Sequence, residues 1–260
     1  MYTDPKLAFI VAIPSRLGST RLPRKALRLL GGKPMIVRVA ERALAAGASR
    51  VVVATDAAEI AQAIGLPGVE TVMTRADHMS GTDRLAEVAE RLGWADDTIV
   101  VNLQGDEPLA PASGIRQVAA LLAQSGADIA TLAVPIHTSA ELFDPSCVKV
   151  ARTLAGDALY FSRAPMPWPR DAFARDPAEM PADAPMLRHI GIYAYKAGFL
   201  MRYAPLAPTP LERTEALEQL RALEHGFRIA VGIASEPFPA GVDTEADAQR
   251  VEALLAEASA

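Results

Sequence analysis

A cationic segment, PSRLGSTRLPRK, follows the first apolar run of the chain. It carries four positively charged side chains within ten residues: Arg16, Arg21, Arg24 and Lys25. Arg16, Arg21 and Lys25 can neutralise a polyphosphate, because guanidinium and ammonium groups form charge-assisted hydrogen bonds to phosphate oxygens. The backbone N–H groups of residues 18–20, among them that of Ser19, can wrap the same anion. The segment indicates a phosphate site, and a solvated basic loop is the alternative.

Two aspartates stand where predicted strands lead into other structure. Asp106 lies in QGDEP, directly after the apolar run TIVVNL, and Asp243 lies in GVDT, ahead of a helical pattern. Two carboxylates together with phosphate oxygens form a ligand set that suits Mg²⁺, which would offset the charge of a triphosphate. Taken alone, Asp106 could form a turn and Asp243 could cap a helix. Beside a phosphate-binding segment, a magnesium site made by both aspartates is favoured.

The common nucleotide-binding motifs are missing from the sequence. The P-loop pattern GxxxxGK[ST] fails because Gly32-Lys33 is followed by Pro34 and position 27 is a leucine. The dinucleotide fingerprint GxGxxG does not occur either, so a dehydrogenase is not indicated. The sequence therefore favours a triphosphate site built mainly from side-chain cations.

Composition excludes several classes of protein. The chain has 260 residues and a formal net charge of −5, so it is not a general nucleic-acid binder. It has no apolar stretch of about 18 residues, so we expect no membrane insertion. Cys147 is the only cysteine, which prevents an internal disulfide and fits a reducing compartment.

Short apolar runs alternate with amphipathic stretches through the first half of the chain. The predicted strands there are Leu7–Pro14, Arg50–Thr55, Thr71–Thr74, Thr98–Leu103 and Asp128–Pro135. The predicted helices there are Pro34–Gly47, Asp56–Ile64, Thr82–Gly93 and Pro111–Gln124. This alternation predicts an α/β fold with a mostly parallel central sheet flanked by helices. Ligands of such sheets bind at the carboxyl ends of the strands, where the cationic segment and Asp106 fall.

The pattern changes after about residue 140. We predict a smaller inserted sheet segment with strands at Val148–Ala151 and Ala158–Ser162, and a long loop at Ala164–Pro185. The remaining predicted elements are strands at His189–Tyr195 and Phe227–Ile233 and helices at Pro210–Gly226 and Asp243–Ala258. On a continuous helix over Pro210–Gly226, Glu215 and Gln219 would share one face.

Eight segments, in order along the chain, resemble one enzyme family. They are RLGSTRLPRKAL (16–27), GGKPMIVRVAERA (31–43), TRADHMSGTDRLAE (74–87), VNLQGDEP (101–108), ALYFSRAPMPWPRD (158–171), LRHIGIYAY (187–195), LEQLRALEHG (217–226) and GVDTEAD (241–247). They resemble the 3-deoxy-D-manno-octulosonate (KDO) cytidylyltransferases over about residues 7–255. The segments FSRAPMPWPRD and LRHIGIY favour the KDO form over cytidylyltransferases for sialic acid or 8-amino KDO, which are the alternatives.

The resemblance implies a fold and an activity. The fold would be that of the nucleotide-diphospho-sugar transferases, in one domain. Residues 7–135 would form a CTP-binding half, residues 140–240 a sugar-acid-binding and dimerisation segment, and residues 241–260 the metal-ligand turn and last helix. The reaction would be CTP + KDO → CMP-KDO + diphosphate, dependent on Mg²⁺, for lipopolysaccharide inner-core synthesis. The enzyme would be a cytoplasmic homodimer.

The resemblance also assigns roles to residues of this sequence. Arg16, Ser19, Lys25, Ser80, Gln104 and Asp106 would bind CTP, with Lys25, Arg16 and Asp106 catalytic. Asp106 and Asp243 would hold magnesium. Arg163, His189, Tyr193, Glu215 and Gln219 would bind KDO, and the Arg163 guanidinium is suited to a sugar carboxylate. The chain departs from the family where Arg24 replaces a glycine before Lys25, which puts the local backbone geometry in question.

Overall fold

The computed structural model describes residues 7–19, 21–176, 178–181 and 184–257. Thr20, Ala258 and part of the predicted loop Ala164–Pro185 lie outside the described residues. The strands are β1 Ile10–Ser15, β2 Leu29–Leu30, β3 Lys33–Pro34, β4 Arg50–Thr55, β5 Val69–Met73, β6 Ile99–Asn102, β7 Ile129–Pro135, β8 Lys149–Arg152, β9 Ala158–Ser162, β10 Leu187–Lys196 and β11 Ile229–Ile233. The helices are α1 Met35–Ala45, α2 Ala58–Ala63, α3 Gly81–Arg91, α4 Ala112–Ser125, α5 Ser139–Phe143, α6 Arg170–Phe173, α7 Ala197–Tyr203, α8 Pro210–Glu215, α9 Gln219–Glu224 and α10 Glu245–Glu257, with a 3₁₀ turn at Lys25–Leu27.

The central sheet has nine strands, with the main order β11-β7-β10-β6-β1-β4-β5. Strands β6, β1, β4 and β5 are parallel, as are β7 and β11, whereas β10 runs antiparallel between β6 and β7. The predicted α/β class is confirmed, with a mixed sheet. The predicted inserted segment is the β8–β9 hairpin, which joins the main sheet through β10. Strands β2 and β3 form a separate small antiparallel sheet.

Helices cover both faces of this sheet. Ile36 and Val39 of α1 and Ile115 of α4 are fully buried against one face. Leu85 of α3 and Phe199 of α7 are buried against the other. Because the inner strands are covered on both sides, their sequences are almost continuously apolar, which is the signal that predicted them. None of the described helices is long and apolar enough to cross a membrane.

The prediction of a single helix over Pro210–Gly226 is wrong. The chain forms α8 and α9 there, separated at Ala216, which has a left-handed backbone with φ 52° and ψ 51°. The Arg163 guanidinium accounts for the break, because its Nε donates to the Glu215 carbonyl at 2.7 Å and its Nη2 to the Ala216 carbonyl at 3.4 Å. These carbonyls would otherwise continue the helical hydrogen-bond series.

Candidate active site

A cavity of about 350 Å³ opens at the carboxyl ends of β1 and β6. The segment after β1 forms one wall and the QGD turn after β6 forms another. Gly105 lets the two strand ends approach closely, because a Cβ atom there would lie 3.0 Å from the Pro14 carbonyl oxygen. The neighbouring parallel strands thus bring both predicted chemical segments to one edge of the sheet.

Lys25 lies between the two predicted metal ligands. Its Nζ is 2.6 Å from Asp106 Oδ2 and 3.0 Å from Asp243 Oδ1. Arg21 Nη2 is also 3.0 Å from Asp243 Oδ1. Residues separated by more than 200 positions therefore meet in one ion cluster beside the cavity.

The charges of this cluster shift the pKa values of Lys25 and of the neighbouring Glu107. Burial alone would lower the pKa of Lys25, but the carboxylates of Asp106 and Asp243 raise it above its ordinary value. Burial, together with the negative charges of Asp106 and Asp243, raises the pKa of Glu107 to about 8. Lys25 is therefore held charged at neutral pH.

The turn carrying Asp243 is fixed to the strand end that carries Asp106. The Val242 N–H donates to the Asp106 carbonyl at 2.9 Å. Gly241 permits this approach, because a Cβ atom there would lie 2.9 Å from the same carbonyl oxygen. Thr244 begins α10, since its Oγ1 accepts from the Asp247 N–H at 3.2 Å. The Asp243 side chain therefore does not cap α10, and it faces Lys25 instead.

The other predicted CTP-binding residues line the same cavity. They are Arg16, Ser19, Ser80 and Gln104. Ser80 also caps α3, because its Oγ accepts from the Asp83 N–H at 3.1 Å. Gln104 Nε2 donates to Asn102 Oδ1 at 3.2 Å, which orients the amide at the inner wall.

A second cavity, of about 310 Å³, adjoins the first. His189, Tyr193 and Gln219, three of the predicted KDO-binding residues, line it. Burial, with a smaller effect from Arg188, lowers the pKa of His189 to about 3, so its imidazole is neutral. The Tyr193 hydroxyl is buried without a hydrogen-bond partner within the described structure. An unpartnered buried hydroxyl beside a neutral imidazole is suited to a hydroxylated ligand.

Gln104 and Glu218 belong to the walls of both cavities. The polar, charged cavity and the aromatic cavity therefore adjoin each other at these two residues.

Comparison with known proteins identifies the family. The sequence profile described as cytidylyltransferase matches residues 10–229. A 3-deoxy-manno-octulosonate cytidylyltransferase of Xanthomonas axonopodis pv. citri (strain 306) is 60% identical over 96% of this chain and 97% of its own length. The chain belongs to the 3-deoxy-manno-octulosonate cytidylyltransferase family.

Two further relatives agree with this assignment. The 3-deoxy-manno-octulosonate cytidylyltransferase of Stenotrophomonas maltophilia (strain K279a) is 56% identical over 95% of this chain and 96% of its own. A solved structure of CMP:2-keto-3-deoxy-manno-octonic acid synthetase complexed with CTP superposes with a TM-score of 0.86. It is 42% identical and covers 96% of this chain and 99% of its own.

Two predicted KDO-binding residues of this family member lie behind the second cavity rather than in its wall. The Glu215 carboxylate accepts from the Ser162 hydroxyl at 2.6 Å and from the Arg163 N–H at 2.9 Å. The Arg163 guanidinium is bonded to the carbonyls of Glu215, Ala216 and Pro145. Both residues hold the left-handed turn at Ala216, which does line the cavity. Direct contact of Arg163 and Glu215 with KDO stays a prediction.

Glu218 was missed by the sequence analysis. A continuous helix over Pro210–Gly226 predicts a shared face for Glu215 and Gln219 and does not single out Glu218. The break at Ala216 turns Glu218 and Gln219 into the cavity together and leaves Glu215 outside it. The only sequence signal was its position within LEQLRALEHG, one of the family segments.

Arg24 has a left-handed backbone conformation, which glycine adopts more readily than other residues. It has φ 55° and ψ 33° immediately before the 3₁₀ turn of Lys25, and its guanidinium pairs with exposed Glu59. We expect the free energy of unfolding to be about 1 kcal/mol higher for Arg24→Gly than for Arg24→Ala, because a left-handed backbone is unfavourable for alanine. Both variants lose the Glu59 ion pair, so urea denaturation of the two isolates the backbone effect. Equal stabilities would contradict a left-handed residue here.

Proposed function

We propose that this protein is a KDO cytidylyltransferase that converts CTP and KDO to CMP-KDO and diphosphate. CTP would occupy the charged cavity and KDO the aromatic one. The observation that supports the proposal is the boundary that the two cavities share at Gln104 and Glu218, because a nucleotide in one and a sugar acid in the other would meet there. The product would be the activated form of KDO used for the lipopolysaccharide inner core.

We propose Mg²⁺ as the cofactor, held by Asp106 and Asp243. The residues fit this ion, because both carboxylates already converge within 3.0 Å of one positive charge, the Lys25 ammonium. The described residues include no group of three or more His, Cys, Asp or Glu side chains that could hold a metal. Phosphate oxygens and water would complete the coordination, as is usual for Mg²⁺ bound with a nucleotide. When bound, the ion would offset phosphate charge and polarise the reacting oxygens.

The protein's own residues would act mainly by positioning and electrostatics. Arg16 and Lys25 line the wall of the charged cavity, where they would stabilise the charge that grows on the departing diphosphate. Ser80 and Gln104 would hydrogen-bond the nucleoside. His189, Tyr193 and Gln219 would orient the sugar, with Arg163 and Glu215 contributing on the same side. The division into a CTP-binding part (7–135), a sugar-acid part (140–240) and a metal-ligand turn (241–260) is part of the proposal.

We further propose a cytoplasmic homodimer. CTP is an intracellular nucleotide, so an enzyme that consumes it works where CTP is made. Strand β9 pairs with β8 alone among the described strands, and the nearby side chains of Leu154 and Leu159 are exposed. An open strand edge with exposed apolar side chains is a suitable surface for a second copy.

Product analysis tests the function. The purified protein is incubated with CTP, MgCl₂ and either KDO, 8-amino KDO or sialic acid, and CMP-sugar and diphosphate are quantified by ³¹P NMR. We expect equal amounts of CMP-KDO and diphosphate, and the highest kcat/KM with KDO. EDTA should stop turnover and added Mg²⁺ should restore it. A higher kcat/KM with sialic acid would overturn the KDO assignment, and activity in EDTA would overturn the magnesium proposal.

A further inference from the structure

The reaction needs a proton acceptor at the boundary of the two cavities. In the proposed function, the anomeric hydroxyl of the sugar acid attacks the α-phosphorus of CTP, and its proton must leave. Two side chains belong to both cavity walls, those of Gln104 and Glu218. The Gln104 amide cannot accept a proton at neutral pH, whereas a carboxylate can.

Glu218 is held in place by neighbouring elements on two sides. The Tyr203 hydroxyl of α7 donates to the Glu218 carbonyl at 2.9 Å. The Thr82 hydroxyl of α3 donates to Glu218 Oε2 at 3.4 Å. The residue also precedes α9 directly, so its backbone is fixed by the helix start. A group held in this way can meet a substrate with little loss of conformational entropy.

The Glu218 carboxylate is not committed to an ion pair. Within the described structure no Lys, Arg or His nitrogen lies within 4.0 Å of it, unlike Glu212, whose carboxylate is paired with Arg221. Glu215 is likewise occupied, by Ser162 and Arg163. Of the three glutamates in this stretch, Glu218 is the one that remains available to a ligand.

The surroundings of Glu218 favour proton uptake. Although Glu218 as a whole is exposed, packing of its carboxylate against the cavity walls and the negative charge of Asp83 on α3 raise its pKa above its ordinary value. Arg221 of α9 and the hydrogen bonds from the Thr82 and Ser80 side chains oppose this effect. The hydroxyls of Tyr193 and Tyr195 on β10 and of Tyr203 on α7 also face the group. A raised pKa makes a carboxylate a stronger base near neutral pH.

We propose that Glu218 is the general base that takes the proton of the attacking anomeric hydroxyl. This role rests on the proposed function. A bond forms between the anomeric oxygen and the α-phosphorus, and the bond from that phosphorus to the bridging oxygen of the β-phosphate breaks. The hydroxyl proton passes to the Glu218 carboxylate, the electron pair of the broken bond leaves with diphosphate, and Glu218 later releases its proton to water.

The test compares kcat against pH for the wild type, Glu218→Gln and Glu218→Asp, with CTP affinity measured by calorimetry. We expect Glu218→Gln to lower kcat roughly 100- to 10,000-fold while CTP affinity stays within about threefold, and to abolish the acidic limb of the profile. Glu218→Asp retains the carboxylate, so it should keep that limb at an intermediate rate. The matched control is Glu224→Gln, an exposed glutamate of α9 outside both cavity walls, which should behave as the wild type.

Each outcome decides the role. A Glu218→Gln enzyme that keeps the acidic limb, or that loses only KDO affinity at unchanged kcat, overturns the proton transfer. If Glu218→Gln also loses CTP affinity, the decision passes to Glu218→Asp, and an aspartate variant without an acidic limb overturns the role. A wild type that forms no CMP-KDO overturns the proposed function together with this role. A wild type that turns over beside an unaffected Glu218→Gln overturns the role alone.

Discussion

Asp106→Asn is expected to reduce kcat by roughly a thousandfold or more, equivalent to about 4 kcal/mol of transition-state stabilisation. The substitution removes one of the two carboxylates that converge beside the charged cavity and leaves Asp243 alone to hold magnesium. It also removes the closer of the two anionic partners of Lys25, at 2.6 Å. Steady-state assays over a range of Mg²⁺ concentrations measure the effect, and high Mg²⁺ should restore only part of the rate.

The fold should survive this change. The contact that joins Asp106 to the turn of Asp243 is made by its backbone carbonyl, which the asparagine keeps. The matched control is Glu245→Gln, which also removes a carboxylate bonded to a cation, Arg28 at 2.5 Å, but on the exposed surface. The control should keep wild-type activity. Retained activity in Asp106→Asn, with unchanged Mg²⁺ dependence, would remove this residue from the metal site.

The convergence of Lys25 and Asp106 could be anticipated from the sequence. The apolar runs before the cationic segment and before QGDEP are continuous enough to predict adjacent buried strands, and parallel strands bring their carboxyl ends to one edge. Chemistry-bearing residues just after such runs must therefore approach each other. The structure confirms this part of the argument because it depends on sheet geometry, which local sequence patterns report well.

The geometry around Ala216 could not be anticipated in the same way. Its left-handed turn depends on hydrogen bonds from Arg163, which lies more than 50 residues away in the sequence. The local pattern is compatible with one helix, and long-range hydrogen bonds override it. The break places Glu218 beside Gln219 in the wall of the aromatic cavity, which a continuous helix does not predict.

The side chain of Asp243 is a second case in which the local sequence pattern does not determine the structure. The sequence offers both Asp243 and Thr244 as caps for the last helix, since either side chain can accept the N–H hydrogen bond. In the structure Thr244 is the cap, and its side chain exchanges hydrogen bonds with Asp247. The hydrogen bond from the Thr244 hydroxyl is the main reason that the pKa of Asp247 is lowered to about 2. Because Thr244 is the cap, the Asp243 carboxylate is available to pair with Lys25. The identity of the helix cap therefore determines whether Asp243 joins the ion cluster.

Lys25→Met should have two effects of opposite sign. Loss of the ammonium should lower kcat by roughly 100- to 1,000-fold, because a preorganised cation no longer stabilises charge on the departing diphosphate. Mg²⁺ affinity of the enzyme without nucleotide should rise, since Lys25 Nζ no longer competes for Asp106 and Asp243. A gain of roughly three- to tenfold corresponds to about 1 kcal/mol. Methionine keeps the apolar stem of the side chain, so packing around residue 25 is retained.

Mn²⁺ titration followed by electron paramagnetic resonance, beside steady-state kinetics, measures both effects of Lys25→Met. Lys33→Met is the control, because Lys33 also pairs with a carboxylate, Glu41, but lies outside both cavities. A fall in metal affinity would show that Lys25 supports the carboxylate pair rather than competing for it. Global unfolding by circular dichroism would make Lys25 a structural residue. If metal affinity rises while kcat falls, the Lys25 ammonium occupies the position that the metal would take between the aspartates. Its catalytic role is then to stabilise charge on the phosphates.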